Sequence, residues 1–218
     1  MKSKAASINL LITLGLLPAV VMGCSSLRKS STPSLPGSGS SASGDYFPLS
    51  VGDSWKYKYT ASDGKKYELT TRVLNEEREI GNTLYRVETV KTDDWYLKPN
   101  GSVLLLREQD LSFDLDTEFK PVKQFLKNPL ANGDSWHWEG KGMLEANAEE
   151  ANSVSGPETV TVPAGKFTAM KVTTNAVQAG IRETRIKWFA PSVGLVKAMT
   201  DAGDDKTSTE LLEYNVKQ

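Results

Sequence analysis

Hydrophobic and polar residues alternate with a period of two along much of the chain after residue 45. Trp55, Tyr57 and Tyr59 alternate with lysines, and a second run alternates from Tyr67 to Val73. This period predicts strands with one face on a core and the other in water. Two later runs give further strands, with these residues expected to face inward: Thr184, Ile186 and Trp188, then Leu212, Tyr214 and Val216.

Polar residues in the same runs are expected to face solvent, including Glu183, Arg185 and Lys187. Short segments that contain glycine separate many of the runs and predict tight turns. They are Asp63-Gly64, Gly81-Asn82, Asn100-Gly101, Asn132-Gly133, Ala164-Gly165 and Ala202-Gly203. Strands separated in this way favour an antiparallel sheet.

Two stretches depart from the alternation. Residues 143–152 are rich in Ala and Glu and could form a short helix, but their position relative to 67–73 favours an irregular strand. Residues 110–127 alternate apolar and acidic side chains until Pro121. Proline has no amide donor for a sheet, so we interpret this stretch as a crossover with one short strand.

An eight-residue segment occurs twice. Residues 48–55 return as 129–136, with six of eight positions identical, including Gly-Asp-Ser-Trp. A weaker echo relates 95–99 to 188–191. The repeats predict two related units, about 46–128 and 127–218, within a single β-rich domain of residues 46–218. The predicted fold is mostly β: an antiparallel curved sheet, or open half-barrel, built from two similar units of four to five strands.

The repeated Gly-Asp-Ser-Trp motif has a structural interpretation. Glycine permits a positive φ, aspartate can accept hydrogen bonds from amides two residues later, and Trp55 or Trp136 then anchors the core. Contact with a ligand is the alternative. Trp95 and Trp188 are the two further candidates for structural anchors or ligand contacts.

The N-terminal segment has the layout of an export signal. Two lysines precede an apolar run, Ile8 to Met22, that is short for a membrane-spanning helix. Val21, Met22, Gly23 and Cys24 resemble the lipobox of bacterial lipoproteins. That resemblance implies cleavage after residue 23 and acylation of Cys24. An ordinary signal peptide with an incidental cysteine, or an uncleaved anchor, is the alternative.

Cys24 is the only cysteine, so no disulfide partner explains it. Residues 24–45 are rich in Ser, Gly and Pro and predict a flexible tether. The residue after the cysteine is Ser25 rather than the aspartate of inner-membrane retention signals. We therefore expect an outer-membrane lipoprotein that faces the periplasm, with the cell surface as the alternative.

Candidate catalytic chemistry is sparse. The single histidine, His137, lies between two tryptophans, where alternation directs it to solvent. Asp201, Asp204 and Asp205 surround Gly203, but a hairpin turn explains them better than a calcium loop. We expect no metal and no cofactor. Acidic residues slightly outnumber basic ones, which argues against a nucleic-acid partner. The expected protein is not an enzyme.

The domain resembles a family of uncharacterised bacterial envelope lipoproteins, the TapB-like proteins. The similar segments are residues 46–57, 158–167, 188–197 and 210–211. The resemblance implies an envelope location and no catalytic residues. Two hypotheses follow. The first is a non-enzymatic module that binds a protein or polymer partner in an assembly or accessory role. The second is a carrier of a lipid or other hydrophobic ligand, by analogy with LolA and LolB half-barrels.

Overall fold

Twelve antiparallel strands account for most of residues 44–79 and 82–217, which the computed structural model describes. They are β1 (Ser54–Thr60), β2 (Lys66–Glu79), β3 (Asn82–Glu88), β4 (Thr92–Leu97), β5 (Ser102–Asp110), β6 (Leu115–Lys127), β7 (Ser135–Lys141), β8 (Asn147–Val162), β9 (Gly165–Gln178), β10 (Ile181–Ala190), β11 (Gly194–Ala202) and β12 (Asp205–Asn215). All lie within Ser41–Gln218, a compact unit with its own core. The predicted signal peptide, Cys24 and nearly all of the tether lie outside the described residues.

Each strand pairs with the next along the chain, and β12 pairs with β1 to close a barrel. The prediction of a mostly β, antiparallel fold is confirmed, whereas the open half-barrel is wrong. Seven residue pairs join β1 to β12. Trp55 Nε1 also donates to Val193 O at 2.6 Å, and Tyr57 Oη to Leu195 O at 3.1 Å. Closure pairs both edges of the sheet, which an open form would leave exposed.

Each unit contributes six strands rather than four or five. The predicted crossover at 110–127 contains the thirteen-residue strand β6, with Pro121 inside it. Proline is tolerated because β6 and β7 share one backbone pair, Lys120 with Lys141. Side chains close the rest of this seam. Trp136 Nε1 donates to Gln124 O at 3.0 Å, and Trp138 Nε1 donates to Pro121 O at 2.9 Å.

The repeated motif folds identically in its two copies. The Gly52 amide donates to Val73 O, and the Gly133 amide donates to Val154 O, each glycine having a positive φ. Asp53 accepts from the Ser50 amide and Asp134 from the Ala131 amide, both at 2.9 Å. The acceptor role holds, but the donor lies three residues before the aspartate, not two after it. These matched contacts relate the two units in three dimensions.

The prediction of which side chains face the core is correct in β1 and β2 and wrong in β10 and β12. Trp55, Tyr57 and Val73 are buried as expected. In β12, an extra residue at Leu212 shifts the register, so Leu211 is fully buried and Tyr214 is 46% exposed. In β10, Arg185 and Lys187 line the interior. Alternation is a poor guide there because the interior of the barrel is itself charged.

The ambiguous stretch at 143–152 combines both predicted structures. One 3₁₀ turn, Met143–Glu145, precedes β8, which begins at Asn147. The Asp201–Asp205 segment is the β11–β12 hairpin turn, as predicted. In the part of the chain that the structure describes, no helix has the length and apolarity needed to cross a membrane.

Candidate ligand-binding site

An internal cavity of about 280 Å³ lies within the barrel and is partly open to solvent. The segment before β1 contributes to it, because residues 47–49 line its wall. Several contacts fix this segment to the barrel, and two of them involve Tyr46 and Phe47. The Tyr46 amide donates to Asn128 Oδ1 at 2.9 Å, and Lys98 Nζ donates to Phe47 O at 2.7 Å. The chain therefore contributes to the cavity wall immediately after the predicted tether.

Much of the cavity wall is apolar and aromatic. Phe47, Tyr96 and Phe125 form a cluster with ring centroids 5.1–5.3 Å apart. Other apolar residues of the wall come from several strands, namely Trp55, Tyr57, Val87, Leu105, Phe189 and Leu195. Such a surface favours contact with a hydrocarbon group over contact with water.

The same wall carries three cations and two carboxylates: Lys123, Arg185, Lys187, Asp94 and Glu108. Glu150 binds two of the cations. Its Oε1 lies 2.6 Å from an Nη atom of Arg185 and 3.2 Å from Lys123 Nζ. Burial acts to raise the pKa of Glu150, but Arg185 and Lys123 outweigh burial and hold that pKa below its usual value. Glu150 is therefore an internal counterion.

Lys123 is also stabilised by aromatic rings. Its Nζ lies 4.1 Å from the centroid of Phe119 and 5.6 Å from that of Trp138. Cations over ring faces are attracted by the ring quadrupole. Only 7% of Lys123 is exposed, so these rings and Glu150 replace water around its charge.

Lys187 and Asp94 are less completely satisfied. In the described part of the chain, Lys187 forms no ion pair within 4.0 Å, and its Nζ lies 4.7 Å from the Phe125 ring centroid. Burial, reinforced by Arg185, lowers the pKa of Lys187 to about 8. Asp94 Oδ2 accepts from Tyr96 Oη at 3.1 Å, while its buried Oδ1 has no partner. Burial, reinforced by Glu108, raises the pKa of Asp94 to about 7.

Asp94 and Lys187 occupy equivalent positions of the two units. Each directly precedes a tryptophan that pairs with a cation across the sheet, Trp95 with Arg107 and Trp188 with Lys197. A one-residue bulge follows each pair in the neighbouring strand. The two equivalent strands, β4 and β10, therefore direct an acidic and a basic side chain to the same cavity.

Of the four tryptophans proposed as anchors or ligand contacts, Trp55 lines the cavity. Trp136 is buried at the β6–β7 seam. Trp95 alternates with the cavity residues Asp94 and Tyr96, so it faces outward, where the Arg107 guanidinium lies 4.4 Å from its ring centroid. Trp188 also faces outward and donates through Nε1 to Glu158.

His137 has a side chain that is 52% exposed, with Nε2 4.0 Å from Glu149 Oε1. It is on the outer face, opposite its two buried neighbours, as alternation predicted. Within residues 44–79 and 82–217, no group of three or more His, Cys, Asp or Glu side chains is placed to hold a metal ion.

Sequence reasoning missed the charged part of the cavity. The inner face of β10 was predicted from the more apolar of its two alternating sets of side chains, namely Thr184, Ile186 and Trp188. The opposite set contains Phe189, which is 1% exposed, together with Arg185 and Lys187. Phe189 lies on the same face of β10 as Arg185 and Lys187, and its large apolar side chain was the signal in the sequence that this face points inward.

Comparison with known proteins supports the fold. Residues 136–212 match the family model DUF3108-like. No curated protein sequence is significantly similar to the chain. A candidate lipoprotein of Parabacteroides distasonis is 18% identical, with a TM-score of 0.55, over 79% of this chain and 99% of that one. A candidate exported protein of YmcC-like fold from Bacteroides fragilis is 16% identical, with a TM-score of 0.51 and the same coverage.

The hypothetical lipoprotein YmcC of Escherichia coli is 14% identical, with a TM-score of 0.45, over 74% of this chain and 84% of that one. The Parabacteroides and Bacteroides structures show that the fold occurs in other bacterial proteins. At these identities the likeness concerns the fold alone.

Proposed function

We propose that this chain is an envelope lipoprotein, anchored through an acylated Cys24, whose barrel binds a small amphipathic molecule. The observation that carries the proposal is the internal cavity of about 280 Å³, with apolar walls beside a group of charges. Barrels of this kind can hold one small ligand where side chains leave the interior unfilled. The ligand carrier, rather than the module that binds a protein or polymer partner, is therefore the function that the geometry favours.

The location is also part of the proposal. The predicted lipobox and tether place the barrel near a membrane surface, and similar structures are described as a candidate lipoprotein and a candidate exported protein. We place the protein at the outer membrane, facing the periplasm. Binding without catalysis is part of the proposal, and His137 lies on the outer face, away from the cavity.

The test uses residues 25–218, exported behind a signal that lacks a lipobox and purified without detergent. This form contains every described strand and the complete described core. Native mass spectrometry is expected to show a stoichiometric small adduct that is released on unfolding. Protein stripped of this adduct is expected to bind naphthalene, a neutral apolar fluorophore that matches the cavity in size.

Two adjacent positions on β2 give a matched pair of variants. Thr71 lines the cavity, and Thr70 precedes it on the opposite face. Thr71→Phe is expected to weaken binding of the fluorophore by filling the cavity, whereas Thr70→Phe leaves binding unchanged. Folded protein that carries no adduct and binds no fluorophore would contradict the proposal and favour a partner bound at the outer surface.

A further inference from the structure

We infer that the ligand has one short hydrocarbon chain and an anionic head of carboxylate type, and that Lys187 binds the head. This inference rests on the proposed function, since it assigns the ligand class of the same cavity. It follows from three features of the wall: which charges are already paired, what surrounds the unpaired cation, and how much volume is available.

The first feature is the pairing. Lys123 and Arg185 share Glu150, and Arg185 Nε also lies 3.0 Å from Glu183 Oε1. Among the described residues, Lys187 has no carboxylate within 4.0 Å. A cation removed from water without a counterion is strongly destabilising, and an anion bound beside it supplies the missing partner. Lys187 is thus the cation on the wall that remains available to an anionic ligand.

The second feature is the surroundings of Lys187. Its direct neighbours in the sheet, Val172 on β9 and Ala198 on β11, are uncharged. The charged groups that act on it are Arg185, Lys123, Asp94 and Glu150, and Glu108 also lines the cavity. Asp94 has an oxygen without a partner, and in its protonated form it can donate a hydrogen bond to a bound carboxylate.

An ammonium head is the competing chemistry, because Asp94 and Glu108 face each other on β4 and β5. Two observations favour the anion. Lys187 has no carboxylate within 4.0 Å among the described residues. Burial and Glu108 hold the pKa of Asp94 at about 7 although Tyr96 Oη donates to it, so the carboxyl is largely neutral in mildly acidic solution. A neutral carboxyl provides little attraction for an ammonium group.

The third feature is size. A volume of about 280 Å³, at roughly 30 Å³ for each water-sized group, accommodates about nine such groups. That suits a single short hydrocarbon chain such as the one in octanoate. The aromatic cluster of Phe47, Tyr96 and Phe125 then contacts the chain.

The test compares three ligands of equal chain length: octanoate, octanol and octylamine. Their affinities for the stripped 25–218 form are measured by calorimetry at pH 6. Octanoate is expected to bind at least about tenfold more tightly than octanol, as for a hydrogen bond to a charged group. Lys187→Met is expected to abolish that preference while leaving octanol binding unchanged, and Lys187→Arg is expected to retain most of it.

Lys197→Met is the matched control, because Lys197 lies on the outer face over Trp188, 5.7 Å from the ring centroid. This variant is expected to keep the parent protein's preference for octanoate over octanol. Raising the pH from 6 to 9 is expected to weaken octanoate binding, as Asp94 ionises and Lys187 loses its proton, and to leave octanol binding constant.

The inference is overturned if octanoate binds no better than octanol, if octylamine binds best, or if Lys187→Met keeps the preference. Those results leave the proposed function intact because a ligand still binds. If none of the three ligands binds and naphthalene does not bind either, the proposed function itself fails.

Discussion

Replacing Asp94 with asparagine is expected to stabilise the barrel, but only at pH values at which the carboxyl of the parent protein would be ionised. Burial, reinforced by Glu108, raises the pKa of Asp94 from 3.8 to about 7. The folded protein therefore holds this proton between about pH 4 and 7, where the unfolded chain has lost it. The free energy of unfolding falls with rising pH across that window.

The size of the effect follows from the shift. About three pKa units, at about 1.36 kcal/mol for each unit, give an upper limit of about 4 kcal/mol. Asparagine has the same shape, can still accept from Tyr96 Oη, and does not titrate. The free energy of unfolding of Asp94→Asn should therefore equal that of the parent protein near pH 4 and exceed it by up to about 4 kcal/mol at pH 8.

Urea unfolding of the stripped 25–218 form, followed by tryptophan fluorescence at pH 4, 6 and 8, measures this difference. Asp204→Asn, in the exposed β11–β12 turn, is the control and should change stability by less than about 0.5 kcal/mol at each pH. A stability difference between Asp94→Asn and the parent that does not grow with pH would refute the reasoning.

Two further predictions concern the duplicated motif and the internal counterion. Asp53→Ala should destabilise the protein by about 2 to 4 kcal/mol, more than Asp134→Ala, because fully buried Asp53 accepts from two amides, those of Ser50 and Lys217. An equal loss of unfolding free energy in the two alanine variants, measured by urea unfolding, would contradict this explanation. Glu150→Gln should lower the free energy of unfolding by about 3 to 5 kcal/mol at pH 7, since it removes the buried negative charge that Lys123 and Arg185 share. The loss should shrink in acid, where the parent carboxyl is also protonated, and Glu149→Gln on the exposed side of the same strand should have little effect.

Local features of the fold could be predicted from the sequence. The turns and the repeated motif depend on neighbouring residues, such as the positive φ of Gly52 and Gly133 and the buried tryptophan three residues after each. The alternation in β1 and β2 also reports the core correctly, because Trp55, Tyr57 and Val73 face an apolar part of the interior.

Closure of the barrel could not be predicted in this way. It depends on pairing between β1 and β12, at opposite ends of the domain, which no local pattern encodes. Pro121 was misleading because its missing amide suggested a break in the sheet. In the barrel, Pro121 lies at the sparsely paired seam, where its carbonyl accepts from the indole of Trp138.

The candidate site was hidden for a different reason. Hydrophobic alternation assumes an apolar interior, but β10 directs Arg185 and Lys187 inward and Trp188 outward. The charges are tolerated inside because Glu150, located two strands away on β8, pairs with Arg185 at 2.6 Å. That pairing is a tertiary contact, so no single strand of the sequence reveals it.

The presence of two seams between equivalent units has a consequence for symmetry. A lone unit of six strands would leave both of its edges unpaired, and two identical copies would pair those edges only as a homodimer with twofold symmetry. Such a dimer must place identical side chains at both equivalent positions. With both units in one chain that constraint is absent, and aspartate occupies position 94 while lysine occupies position 187. An interior with two chemically distinct poles is something that a symmetric dimer could not have.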